Sequence, residues 1–224
     1  MNLATSYNAD GRYGDITNLV TWNDKIFCFQ RKGISQVLFN SRVQIPTSDN
    51  VPIEITNNYK VDGVSYLSDT LGSDNKWAVC STSAALYFID AMTKDLYSMG
   101  GQGMTNLSVS KNMSLWFRNL LSGESKPNNY TVRLFHDRQY GDLYIMTENE
   151  SLVYSEILGE FTSFMSYKNL PMLENIENGF YALNQKDSSC GMYKMFDGNY
   201  NMFFDNTVPE PYDITFVSNG VGKE

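Results

Sequence analysis

Short runs of apolar and aromatic residues, each bounded by turn-forming residues, recur along the whole chain. Between Gly141 and Tyr167 the pattern is compact: Asp142–Thr147, Ser151–Glu156 and Phe161–Met165 read as three strands. Glu148-Asn149-Glu150 and the segment through Gly159 read as the turns between them. Strand-forming runs separated by tight turns predict an antiparallel meander.

The same unit is legible three more times. Ile16–Trp22, Lys25–Gln30 and Ile34–Phe39 are separated by Asn23-Asp24 and Arg31-Lys32-Gly33, and Val51–Thr56 is the expected fourth strand. Pro46 and Pro52 nearby favour an edge position, because proline cannot donate to a central ladder. Lys76–Ser81, Ala85–Asp90 and Asp95–Met99 form a second unit, with Thr105–Ser108 as its outer strand. Tyr130–Phe135 opens the third, completed by the meander above. Met172–Ile176, Gly179–Leu183, Gly191–Phe196 and Tyr200–Phe204 make the fourth.

The second strands of the units are KIFCF, ALYFI, DLYIM and GFYAL, starting at Lys25, Ala85, Asp142 and Gly179. Each is short, apolar and centred on an aromatic. A four-stranded meander cannot bury both faces alone, whereas units stacked about an axis cover one another. The expected fold is therefore all-β, a propeller-like array of about four antiparallel blades that forms either a ring or part of one. The expectation is one domain over 1–224, with blades near 13–57, 75–108, 130–167 and 171–204 and an extra strand at 213–217. An antiparallel sandwich is the alternative.

One segment departs from this pattern. Met113, Trp116, Phe117, Leu120 and Leu121 follow helical spacing, and Gly123 stands where a helix would stop. A short amphipathic helix near 112–122 is expected, its Trp and Phe packing on the blades. The sharper alternative makes Trp116, Phe117 and Leu120 a partner-contact face.

Composition narrows the function classes. The 224 residues are 42% hydrophobic and 14% aromatic, enough for a packed core. The net charge of −8 with no cluster of Lys and Arg argues against nucleic acid as a direct ligand. The longest apolar run, Ala84–Ile89, is far shorter than a membrane span, and the first residues do not read as a signal peptide. Cys28, Cys80 and Cys190 are odd in number and far apart, which fits reduced, half-buried thiols better than disulfides or zinc.

No chemistry stands out. His136, the single histidine, neighbours Asp137, but adjacent strand residues point to opposite faces. Asp90, Asp137, Asp142 and Glu156 stand at strand ends, where turn and edge roles are the ordinary reading of carboxylates. Ser68–Trp77 has the letters of a sialidase box at the wrong spacing, and Asp197–Asn201 has part of a calcium loop but reads as a hairpin turn. The reading assigns no catalytic, cofactor-binding or metal-ligating residue.

Val43–Ile55, Asn75-Lys76-Trp77, Leu86–Asp90, Asp142-Leu143-Tyr144 and Tyr154–Phe164 resemble crAss-like bacteriophage tail proteins of the hub and muzzle. The resemblance runs from about Tyr13 to Phe216. It implies a longer protein of which this chain is either the propeller part or a truncated reading frame. It further implies a non-enzymatic structural role in the virion, made in the bacterial cytoplasm, with other tail proteins and further copies of itself as partners. A glycan-binding or glycan-hydrolysing propeller is the alternative.

Overall fold

The computed structural model describes residues 7–39, 42–45, 53–56, 61–121, 132–147, 150–165, 172–176, 179–186 and 189–199. The chain divides into two compact units, Met1–Asn169 and Leu170–Glu224.

The first unit holds three four-stranded antiparallel sheets in sequence. The first comprises β1 (Ile16–Trp22), β2 (Lys25–Gln30), β3 (Gly33–Phe39) and β6 (Val61–Ser68). The second comprises β7 (Val79–Ser81), β8 (Leu86–Ile89), β9 (Leu96–Gly100) and β10 (Gly103–Asn106). The third is β11 (Arg133–Asp137), β12 (Asp142–Met146), β13 (Ser151–Ser155) and β14 (Glu160–Met165). Two short helices, α1 (Leu107–Ser110) and α2 (Ser114–Leu121), lie between the second and third sheets in sequence. The second unit contains a three-stranded sheet of β15 (Met172–Ile176), β16 (Gly179–Lys186) and β17 (Ser189–Lys194).

The turns follow local chemistry. Asn23 and Asp24 both adopt positive φ, 49° and 58°, between the paired residues Trp22 and Lys25. Two left-handed residues in a two-residue loop match the twist of a hairpin, and Asn and Asp tolerate that conformation best after Gly.

Packing explains the apolar second strands. Every residue of β8 is buried because its two faces serve two neighbours. Leu86 and Phe88 join Phe27, Phe29 and Ile34 of the first sheet, with Phe29 and Phe88 ring centroids 5.4 Å apart. Tyr87 and Ile89, pointing the other way, join Leu134, Leu143 and Tyr154 of the third sheet. Burying one such large side chain contributes roughly 1.5–3 kcal/mol. By contrast β14, the last strand of its sheet, alternates half-buried and exposed positions.

The first strands of the sheets lie side by side, since β7 contacts both β1 and β11. Side chains and backbone tie them together. Thr17 Oγ1 donates to the Ser73 carbonyl at 2.6 Å, Asn18 Nδ2 to Lys76 O at 2.8 Å and Trp22 Nε1 to Thr82 O at 3.0 Å. On the other side Leu134 N donates to Trp77 O at 2.8 Å and Asn75 Nδ2 to Val132 O at 3.0 Å. Sheets stacked face to face with their first strands adjacent make the fold all-β and propeller-like.

Several boundaries differ from the sequence expectation. The fourth strand of the first sheet is β6, not Val51–Thr56. Instead β4 (Arg42–Ile45) and β5 (Ile53–Thr56) form a separate hairpin inserted before it. In β6, Val64 and Tyr66 stand opposite Val37 and Ser35, giving the side chains of that face cross-strand partners. In the second sheet only Val79–Ser81 is strand, because Asn75 Oδ1 accepts from Trp77 N at 2.9 Å and bends the preceding residues into a turn. Its outer strand ends at Asn106, whose side chain accepts from Val109 N at 2.9 Å and starts α1. The expected strands Tyr200–Phe204 and 213–217 lie outside the described residues.

Candidate interaction surfaces and the polar seam

Helix α2 holds the three sequence-predicted contact residues. Phe117 is 0% exposed and belongs to the core shared by the second and third sheets, its ring 5.9 Å from that of Phe161. Trp116 is half-buried, its ring 5.7 Å from Phe164, and its Nε1 donates to Glu150 Oε1 at 3.1 Å. Leu120 lies in the last turn of α2, and its side chain is outside the described ones. Leu115 of the same helix turns to solvent, 72% exposed. Helical spacing locates the stripe; it does not show that the stripe's centre sits between two sheets. Arg118 on the same helix lies 3.7 Å from Asp95 Oδ2, which also accepts from Asn106 Nδ2 at 3.1 Å.

Titratable groups come together in the seam between the second and third sheets. Buried His136 of β11 lies with Nε2 2.9 Å from Glu156 Oε2, in the turn after β13. The other carboxylate oxygen accepts from Thr82 Oγ1 of the second sheet's first turn at 2.6 Å. The Tyr87 hydroxyl of β8 is a further donor to Glu156. Burial is the largest influence on the Glu156 carboxyl and raises its pKa. The hydrogen bonds from His136 and Thr82, the His136 charge and the Tyr87 bond outweigh it, leaving the value below the ordinary one. Burial first, then the Glu156 charge, pushes Tyr87 far up, so it remains a neutral donor.

The remaining strand-end carboxylates do local work. Buried Asp90 accepts from Gly72 N at 2.9 Å through one oxygen and from Met92 N and Thr93 N at 3.0 and 2.7 Å through the other. Asp137, also buried, accepts from Gln139 N at 2.8 Å. Burial raises the pKa of Asp142. Asp137 and Asp142 face each other across the β11–β12 hairpin. Ser68 Oγ accepts from Leu71 N at 3.0 Å, so the sialidase-like letters open a turn. Gly198, at φ 103°, and the 3.2 Å pair Lys194–Asp197 place the calcium-like letters in a bend.

Among the described residues no three His, Cys, Asp or Glu side chains are placed to hold a metal ion, and no helix is long and apolar enough to cross a membrane. The structure brings His136, Glu156, Thr82 and Tyr87 together, a grouping that sequence separation hides: Thr82 and Glu156 are 74 positions apart.

Face-stacked antiparallel sheets joined along their first strands define a propeller-like all-β protein. The family model for the Crassvirus muzzle protein matches residues 1–186. The muzzle protein of Bacteroides phage crAss001 is 45% identical over 227 aligned residues, which cover 98% of this chain and 16% of that protein. The chain belongs to the Crassvirus muzzle protein family, and it spans 16% of the length of that relative. Among solved structures, the AfRom2 CNH domain is 10% identical, covering 82% of this chain and 81% of its own, at a TM-score of 0.28, too low to bear on the fold.

Proposed function

We propose that this chain is a structural, non-enzymatic part of a crAss-like phage muzzle protein, located in the virion tail. In this reading the sheet array is a rigid spacer whose loops and outer strands contact other virion proteins. The family match carries the proposal. The geometry supports it: the seam cluster of titratable groups is buried, and its Thr82–Glu156 hydrogen bond joins two sheets. Second strands buried on both faces make a stiff stack, because closely packed interiors resist deformation.

Copies of the chain associate with one another in this proposal, since the outer strands β6, β10 and β14 end their sheets and exposed edges pair readily. The test is peptide mass spectrometry on virions purified through a density gradient and washed in high salt. Peptides of this chain co-purifying with capsid and portal proteins support the reading. Their absence from infectious particles overturns it. A glycan-array signal or hydrolysis of a polysaccharide by the purified chain would favour the glycan-directed alternative instead.

A further inference from the structure

The β11–β12 hairpin closes on two acids. Asp137, the last residue of β11, stands directly opposite Asp142, the first of β12, so both side chains project from one face of the third sheet. The next strand continues the row: Ser155 of β13 stands opposite Asp142, and its hydroxyl donates to that carboxylate. Along the same face Tyr144 and Met146 alternate with Leu143 and Ile145, which face the second sheet, and both are buried. The two carboxylates therefore lie at the end of a buried, largely apolar face.

Their charge is not balanced locally. Asp137 is 0% exposed; its Oδ1 accepts from Gln139 N at 2.8 Å, and its Oδ2 is buried without a hydrogen-bond partner. With Oδ1 held by the turn, Oδ2 is what this side chain offers to the face it shares with Asp142. Among the described residues no lysine or arginine forms an ion pair with either carboxylate. His136 precedes Asp137, but strand alternation puts it on the seam side, where its Nε2 meets Glu156. Burial is the largest influence raising the Asp142 pKa; the Ser155 bond opposes it, and the Asp137 charge adds to it. Like charges directly opposite each other across a hairpin destabilise it, the more so in surroundings of low polarity.

We propose that the Asp137–Asp142 corner binds a hard divalent cation, Mg2+ or Ca2+. Asp137 Oδ2, the Asp142 carboxylate and Ser155 Oγ are its protein ligands. Asp142 is only half-buried, and water entering beside it completes the shell. The donor set is all oxygen, which suits these two cations and disfavours zinc or copper. Two carboxylates match the charge of one such ion, so binding removes the repulsion that the closing pair otherwise carries. The ion is then a clasp on three adjacent strands, β11, β12 and β13.

Thermal unfolding tests the clasp. The purified chain is stripped of metal with EDTA, dialysed, and unfolded in CaCl2 or MgCl2 at about 5 mM and in NaCl of the same ionic strength. At least one of the two cations raises the midpoint by about 3 °C or more over NaCl, and the larger shift identifies the preferred ion. Asp137→Asn and Asp142→Asn each abolish the shift. Without divalent ions each variant is at least as stable as the parent, because one of the opposed charges is gone. Asp69→Asn, which changes an exposed acid elsewhere, keeps the shift and so separates the corner from diffuse binding to an acidic chain. The proposal is overturned if neither cation exceeds NaCl, or if the shift survives in both Asp137→Asn and Asp142→Asn. It is equally overturned if the Asn variants gain stability while no cation shifts the parent, which would mean that the pair shares a proton instead. If Asp137→Asn does not fold, Asp142→Asn decides alone.

Discussion

Glu156 of the third sheet accepts a 2.6 Å hydrogen bond from Thr82 of the second while its other oxygen meets His136 at 2.9 Å. One carboxylate therefore joins two sheets and partners Nε2 of the chain's single histidine. Removing it takes the acceptor from buried His136 Nε2 and Tyr87 and leaves Thr82 only its bond to the Ala85 carbonyl. Glu156→Ala is expected to lower stability by roughly 2–4 kcal/mol. Urea unfolding of Glu156→Ala, Thr82→Val and the double variant measures this, and the cycle should show coupling of about 1 kcal/mol or more. Additive effects would mean that the bond does not hold the seam.

The same group sets an acid dependence. A carboxyl with a folded-state pKa below its usual 4.5 adds stability that is complete above the unfolded value and disappears as pH falls through the folded value. Asp142 has the opposite sign: its raised value penalises the folded state when ionised, and that penalty is relieved in acid. His136, Tyr87, Tyr154 and Asp142 are the titratable neighbours on β11, β8, β13 and β12. Urea midpoints taken from about pH 7 down to about pH 3 should fall for the parent chain and fall less for Glu156→Gln. Equal slopes would remove Glu156 from the account.

Helix α2 offers two residues two positions apart with opposite expectations. Phe117→Ala empties a fully buried ring site and should cost about 3–5 kcal/mol. Leu115→Ala, at a 72% exposed position, should stay within about 0.5 kcal/mol. Thermal or urea unfolding of both variants checks the orientation of the helix. If Leu115→Ala leaves folding intact but lowers capture of other tail proteins, the partner face of α2 is centred on Leu115.

Gly72 is required for closeness. A Cβ there would overlap the Gln30 carbonyl oxygen and lie 2.7 Å from Arg31 C, both backbone atoms. Its N–H and C=O bond Asp90 and Ala91, so the loop cannot drift away cheaply. Gly72→Ala is expected to destabilise by roughly 2–4 kcal/mol. A neutral result in urea unfolding would show that the first and second sheets approach less closely than described.

Much of the strand layout is legible in the residues because a run such as ALYFI, short, apolar on both alternations and bounded by turn residues, fits a strand covered on two sides. The Asn23-Asp24 turn is equally readable, as these two residue types tolerate the left-handed conformation both adopt. The β4–β5 hairpin is not, because local propensity shows that Ile53–Thr56 is a strand without showing which strand it pairs. The seam cluster is hidden too: His136 and Glu156, 20 positions apart, meet only through strand pairing within the third sheet, and Thr82 and Glu156, 74 apart, only through stacking of two sheets. The bonds from Gln30 Nε2 to the Asp10 and Gly14 carbonyls are hidden for a similar reason, since nothing in Asp10–Gly14 names Gln30 as a partner.

The most direct measurement is a cryo-electron microscopy map of the tail of a phage carrying this protein. The account predicts density at the muzzle into which the three four-stranded sheets fit side by side, with β1, β7 and β11 adjacent. Density showing two flat layers facing each other, or a tail without this chain, would contradict it.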